Sequence, residues 1–221
     1  MSVTNEQTVK KRRSKGERTK HLILESAIAV LAQQGIKGTT HRAIASHANI
    51  QLSLTTYYFK DIQELVQQAF ELNTNNIISE INSIWQPIIN LVDIHTKAEL
   101  RKVSVRVALR EKLAQQLTDV VMTNAKSNHQ QLIVQQQLSA EAQVTASLVS
   151  IAHKLNLAQL QPCMQLVQYF SQEDIEVNAE ILLNQIQQAT YRYLLLNSSD
   201  KNDYIYRVIN QILAIVIRIK P

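Results

Sequence analysis

Three glycines and three prolines in 221 residues leave this chain few places to break a helix. Gly16, Gly35 and Gly38 all precede residue 40, and the prolines are Pro87, Pro162 and the terminal Pro221. Sparse breakers, with abundant Leu, Ile, Ala and Gln, predict an all-α chain. Its length suits a small N-terminal unit followed by a larger one that buries a core. A lone cysteine, Cys163, rules out an intramolecular disulfide and a Cys-rich zinc site. No secretory segment follows the basic N-terminal run and no apolar stretch is long enough to span a bilayer, so a cytoplasmic protein without a membrane partner is expected.

The stretch from residue 40 to 59, THRAIASHANIQLSLTTYYF, reads as two short helices joined by a tight turn. That is the pattern of a helix-turn-helix able to enter a DNA major groove. Thr39 or Thr40 would cap the first helix, which carries Ile44, Ala45 and Ala48 inward. The turn falls at Ala48-Asn49-Ile50, where a residue of positive φ is needed and Asn substitutes best for Gly. Ile50 is expected to re-enter the core. The second helix, residues 51–58, exposes Gln51, Ser53, Thr56 and Tyr57. These are hydrogen-bonding groups rather than a solubilising band of Lys and Glu.

Charge points the same way. Residues 1–60 hold ten Lys or Arg against three Asp or Glu, whereas residues 61–221 hold thirteen against fifteen. Most of the excess lies in Lys10, Lys11, Arg12, Arg13, Lys15, Arg18 and Lys20. A basic run alone is usually a solvated tail; directly before a helix-turn-helix it can follow phosphates or reach into a minor groove.

Around this motif, a first helix over residues 15–34 places Ile23, Leu24, Ala27, Ile28 and Leu31 on one face, with Gly35 at its stop. A long connector opens after Lys60 and Asp61 and carries Leu65, Val66, Ala69, Phe70, Leu72, Ile77 and Ile81. Pro87 should kink or end it. Further helices are expected over residues 97–122, 127–137 and 140–155, with a polar loop at 156–161. In the last two helices Ile175, Ala179, Leu182, Ile186, Ala189 and Tyr193, then Ile205, Val208, Ile212, Ile215 and Ile219, repeat at three- and four-residue steps. Asn197-Ser198-Ser199-Asp200 forms the turn between them. An antiparallel pair of this kind is usually core. Here both helices are apolar over more than one stripe, which calls for a second partner, most simply the same pair from another subunit.

Residues 20–65 resemble the TetR/AcrR family of bacterial transcriptional regulators. The resemblance is carried by Ile23-Leu24, Ser26-Ala27, Leu31, Gly35, Thr39-Thr40, Ile44-Ala45, Ala48-Asn49-Ile50, Tyr57-Tyr58-Phe59 and Lys60, in order and at matching spacing. It covers about a fifth of the chain. Asn49 replaces the family's turn Gly and Ser53 stands where many members have Gly, so Ser53 and Leu54 alter which bases would be read.

The resemblance implies a homodimer that binds a palindromic double-stranded operator as a repressor and releases it when a small molecule enters the C-terminal domain. It implies three regions: a flexible basic arm at 1–14, a DNA-binding domain at 15–60 and a helical ligand-binding and dimerisation domain at 61–221. Gln51, Leu52, Ser53, Leu54 and Tyr57 fall where the family touches base edges, and Thr40, Thr56, Tyr58 and Lys60 at or beside its phosphate-contacting positions. Independently, Gln51 can pair with adenine, Leu54 can meet a thymine methyl, and Lys60 at a helix start joins a cation to free N–H groups. Of the two tyrosines, either could instead pack in the head; Phe59 is core.

The family's cavity lies beside the connector, which makes Phe70, Trp85 and Tyr169 candidate lining residues for an apolar or aromatic effector, although Phe70 and Trp85 suit a core equally well. His95, His129 and His153 are further candidates, against the ordinary reading of exposed or satisfied core histidines. His21, His41 and His47 complete a scattered set, and no metal-binding, phosphate-loop or nucleophile motif appears. No enzymatic activity, metal or cofactor is expected. Two alternatives to a ligand-released repressor are a regulator answering to a protein partner and a helical enzyme.

Overall fold

A computed structural model describes residues 3–197 and 200–218, with side chains from residue 15 onward. The described residues form nine α-helices and no strand: α1 (Val3–Gly38), α2 (His41–His47), α3 (Leu52–Tyr58), α4 (Ile62–Asp93), α5 (Val103–Ser127), α6 (His129–Glu141), α7 (Ala146–Gln168), α8 (Ile175–Leu195) and α9 (Lys201–Val216). A single 3-10 turn, Glu99–Arg101, precedes α5. Among the described residues no helix is long and apolar enough to cross a membrane.

The chain divides into two compact units, residues 1–76 with 133–152, and residues 77–132 with 153–221. The first is built on α1 to α3. Ile23, Ala27, Ile28 and Leu31 of α1 are buried, as their spacing predicts, together with Ile44 and Ala45 of α2, Phe59, and Leu65, Ala69 and Phe70 of α4. Its boundary differs from a cut at residue 61, because the start of α4 and a stretch of α6 and α7 pack with the head. One tie is a hydrogen bond from the Gln137 side chain to the Leu31 carbonyl, 2.9 Å.

Helix α1 begins at Val3 rather than at residue 15, and its regular path breaks at Gly35, with φ 68° and ψ 179°. That conformation is essentially open only to glycine. The side chains of Lys10, Lys11, Arg12 and Arg13 lie outside the described residues.

The second unit packs the end of α4 with α5, the end of α7, α8 and α9 around Leu113, Leu117, Val121, Leu166, Leu182, Ile205, Ile209 and Leu213, all buried. Cys163 is buried in it, and burial pushes its thiol up to about 12, which leaves it an inert packing group. Ser198, Ser199 and Ile219 lie outside the described residues.

Two predicted breaks do not occur. Pro87 neither ends α4 nor leaves residues 84–93 irregular; the helix runs on to Asp93. The polar 156–161 segment, expected as a loop, lies inside α7, which also runs through Pro162. The reason is burial. Pro in a helix interior costs about 3 kcal/mol, whereas each large aliphatic side chain removed from water contributes about 1.5 to 3. Ile88, Ile89 and Val92 follow Pro87 into the core, and Leu160, Cys163, Leu166 and Val167 flank Pro162 in the same way.

Pro87→Ala should therefore restore a backbone donor without loss of packing and raise stability by about 1 to 3 kcal/mol. A higher denaturation midpoint at unchanged slope is the expected result.

Candidate nucleic-acid interface

The head places a short helix on a support made almost entirely of backbone and small side chains. Thr40 caps α2, its Oγ1 accepting from the Ala43 amide at 3.1 Å. The turn closes through Ala48 N–H to Ile44 O (2.9 Å), Asn49 N–H to Ser46 O (3.2 Å) and Ile50 N–H to Ala45 O (3.0 Å). Asn49 takes φ 53°, the left-handed conformation that its place in the sequence demands. Ala48 and Ile50 are half-buried, so Ile50 closes the rim of the core rather than entering it fully.

Thr55 holds α3 against α2. It is fully buried, and its Oγ1 donates to Leu52 O at 2.8 Å while lying 3.1 Å from Nδ1 of His41. Because that hydroxyl hydrogen is committed to Leu52, the oxygen accepts from Nδ1–H, which fixes the ring's tautomer. Neither Thr55 nor His41 stands out as such a pair in the sequence. The signal is a polar residue midway between outward-facing neighbours in a seven-residue helix.

With Thr55 and Phe59 turned inward, Gln51, Leu52, Ser53, Thr56 and Tyr57 are exposed and Leu54 is half-buried. Gln51 occupies the N-cap position of α3 without using its side chain to cap, so its amide is free to reach outward. Thr56 Oγ1 donates to Ser53 O at 3.2 Å. Tyr57 is 78% exposed and meets Tyr58 edge to face, ring centres 5.1 Å apart. Tyr58 is half-buried, and a Cβ built on Gly16 would stand 3.5 Å from its hydroxyl. That is ordinary contact distance, so Tyr58 lies against α1 without needing a glycine there, and the two tyrosines divide between surface and support.

Lys60 departs from expectation. Its side chain is exposed, but its amide is not free: it donates to Oε2 of Glu64 at 2.9 Å, while the Glu64 amide donates to Oδ1 of Asp61 at 2.8 Å. Two carboxylates thus occupy donors at the start of α4, leaving the ammonium as the cation Lys60 can offer. Arg42, exposed in the first turn of α2 beside Thr40, adds a cation that spacing alone gave no reason to single out.

The candidate ligand residues are not gathered in one place. Phe70 is fully buried in the core of the first unit. Trp85 is half-buried against the core of the second. Tyr169, in the second unit, lines an open cleft of about 830 Å³ and donates a hydrogen bond from its hydroxyl to Asp93. Burial, then the hydrogen bond and the charge of Asp93, raise the Tyr169 pKa. His129 and His153 are exposed and His95 is half-buried, and none of the three lines that cleft. Among the described residues no group of three or more His, Cys, Asp or Glu is placed to hold a metal ion.

The geometry is that of a helix-turn-helix head with an outward polar face on its second helix, carried on an all-helical chain. Residues 23–69 match the family model for bacterial regulatory proteins of the tetR family. The fold is shared with a Mesorhizobium loti MAFF303099 protein classed in the TetR family (14% identity, TM-score 0.62, covering 92% of this chain and 97% of that one). It is shared also with a transcriptional regulator of Rhodococcus sp. Rha1 (12%, 0.60, 91% and 99%). A Saccharomonospora viridis protein classed as a transcriptional regulator and solved in complex with choline matches as well (13%, 0.63, 89% and 96%). No curated protein matches the chain. Over residues 23–69 the head is therefore that of the tetR-type bacterial regulatory proteins, and it is carried on a fold that solved transcriptional regulators share.

Thr55→Val should remove the tie between α2 and α3 and strand the His41 donor. The expected loss is about 1 to 3 kcal/mol of stability, and Asn49→Gly should be neutral or slightly stabilising because it keeps the positive φ.

Proposed function

We propose that this DNA-binding transcriptional regulator is a repressor that holds a palindromic operator as a homodimer and leaves it when a small molecule binds its helical body. The observation that carries the reading is the face of α3. Gln51, Leu52, Ser53, Thr56 and Tyr57 are all exposed on a helix whose other side is locked to α2. An uncharged hydrogen-bonding surface of this kind suits base edges, where Gln51 matches adenine and Leu52 or Leu54 a thymine methyl. Thr40, Arg42, Thr56, Tyr58 and the Lys60 ammonium flank it as phosphate contacts that set register.

Dimerisation is supported by the outward stripe of α8 and α9. The inner stripe carries Leu182, Ile186, Ile205, Ile209 and Ile212, while Val177, Ile181, Leu195 and Ile215 remain exposed. Tyr204, Val208, Ile212 and Ile215 line a shallow groove of about 560 Å³. Pairing two such faces would set two heads at the spacing of successive major grooves, about 34 to 36 Å. For release, the effector must favour one placement of α4, the helix that follows the head in the chain; DNA and effector then weaken each other by an equal factor. That a choline complex exists for a protein of the same fold supports a small-molecule effector over a protein partner.

Gln51→Ala or Tyr57→Ala should each cost about 1 to 3 kcal/mol of operator binding and change sequence preference, whereas Lys60→Ala should weaken all sequences alike and flatten the salt dependence. Selection from random duplex DNA followed by titration at several salt concentrations measures both. A chain that enriches no duplex would overturn the operator reading.

Ile186 and Ile212 are only 8% and 7% exposed, so charging them would damage the core itself. Ile215, 57% exposed, is the clean position. Ile215→Lys should give a folded monomer by light scattering and circular dichroism, with specific DNA binding lost. A wild-type monomer would sink the dimer.

A further inference from the structure

We propose that the cleft beside Tyr169 is a binding site for a small organic polyanion, a molecule with two or more carboxylate or phosphate groups on a short carbon frame. Lys97, Arg101, Arg106 and Arg218 line it, against one acidic lining residue, Glu173. Residues 61–221 carry fewer basic than acidic side chains, thirteen to fifteen, so this gathering of cations runs against the charge of its surroundings. The volume, about 830 Å³, lies in the range of metabolite sites.

Arg106 is the centre of the argument. Its half-buried guanidinium donates from Nε to Leu100 O at 2.6 Å and from Nη1 to Ile217 O at 3.1 Å. Both acceptors are neutral carbonyls. They hold the fork in place, no carboxylate of the described residues is in ion-pair contact with it, and a partly desolvated cation of this kind is stabilised by an anion brought to its remaining N–H groups. Arg218 is paired with Glu173 at 3.0 Å, which cancels the one acidic wall. The Asp93 carboxylate accepts from the Tyr169 hydroxyl. Lys97 and Arg101 are exposed, four residues apart, with no carboxylate of the described residues in ion-pair contact.

The backbone adds to this. Of the described non-glycine residues only Asn49, Asp174 and Arg218 have positive φ, and of these Arg218 lines this cleft. Such conformations cost of order 1 to 3 kcal/mol and persist where the surroundings require them. Leu100 and the Tyr169 ring supply an apolar wall that an inorganic ion would not use.

As a binding site the cleft stands apart from the DNA reading; only its use as the release site rests on that reading. Calorimetric titration of the full chain at constant ionic strength with citrate, glucose 6-phosphate and sulfate tests it. One of the two organic anions should bind at one site per chain and at least tenfold more tightly than sulfate, and which one binds separates carboxylate from phosphate. The double variant Lys97→Ala/Arg101→Ala, exposed on one edge, should weaken that binding at least tenfold with an unchanged melting temperature, and Lys112→Ala, exposed elsewhere, should not. Sulfate binding as tightly as either organic anion, or the two variants acting alike, overturns the site. If neither organic anion binds while the operator complex still forms, the cleft proposal fails and the DNA reading stands. An anion that binds but leaves operator affinity unchanged keeps the site and removes that ligand as the effector.

Discussion

Seven residues do not make a stable helix in water, since nucleating one costs more than its few hydrogen bonds return. Yet α3, the element that carries the outward polar face, is seven residues long. Everything about the head follows from supplying that missing stability from outside. Thr55 spends its hydroxyl on the helix and on His41, Phe59 is driven into the core directly after it, and Asn49 turns the chain so that α3 meets α2 at all. The side chains of Gln51, Leu52, Ser53, Thr56 and Tyr57 are left exposed. Gln51 is the clearest case: a residue at the cap that does not cap.

The same economy explains the charges at the start of α4. A helix N-terminus attracts phosphate, but Asp61 and Glu64 have taken the Lys60 and Glu64 amides for themselves. If Lys60 faces DNA as proposed, two carboxylates beside it would weaken non-specific attraction and leave more of the discrimination to the uncharged face of α3. Sequence preference would thereby be favoured over raw affinity.

What could be read in the sequence was what depends on near neighbours. Asn49 and Gly35 are legible because positive φ admits few residues, and Thr40 because a cap is a local bond. The Asp61-to-Glu64 spacing carried its own signal, which the Lys60 cation obscured. Pro87 and the polar 156–161 segment misled for the opposite reason. A breaker is a local cost, and whether it wins depends on Ile88, Ile89 and Val92, or Leu160 and Leu166, finding a core that no local pattern displays. The terminal helices show the intermediate case. Periodicity reveals that each has two apolar stripes but not which one faces in, so Ile212 and Ile215 look equivalent until packing separates them. Candidate ligand residues were the least legible, because a cleft is assembled from segments far apart: Arg106 and Ile217 are 111 residues from each other.

A limit on energy bears on how such a cleft could be used. Moving a two-state protein from 1:99 to 99:1 requires a ligand to prefer one state by about 5.5 kcal/mol. Exposed ion pairs contribute about 0 to 1 kcal/mol each, so Lys97, Arg101 and Arg218 together fall short. Arg106 is different, being half-buried and held by carbonyls at both ends of its fork. A hydrogen-bonded charge there is worth more than on the surface, and its acceptors belong to the 3-10 turn at Leu100 and to the end of the chain at Ile217. An anion that pulls on this fork therefore shifts two backbone segments rather than one side chain. In a two-fold dimer the preference is counted twice, once in each subunit, so that half the required energy per cleft suffices. Dimerisation would thus serve the switch as well as the spacing of the heads.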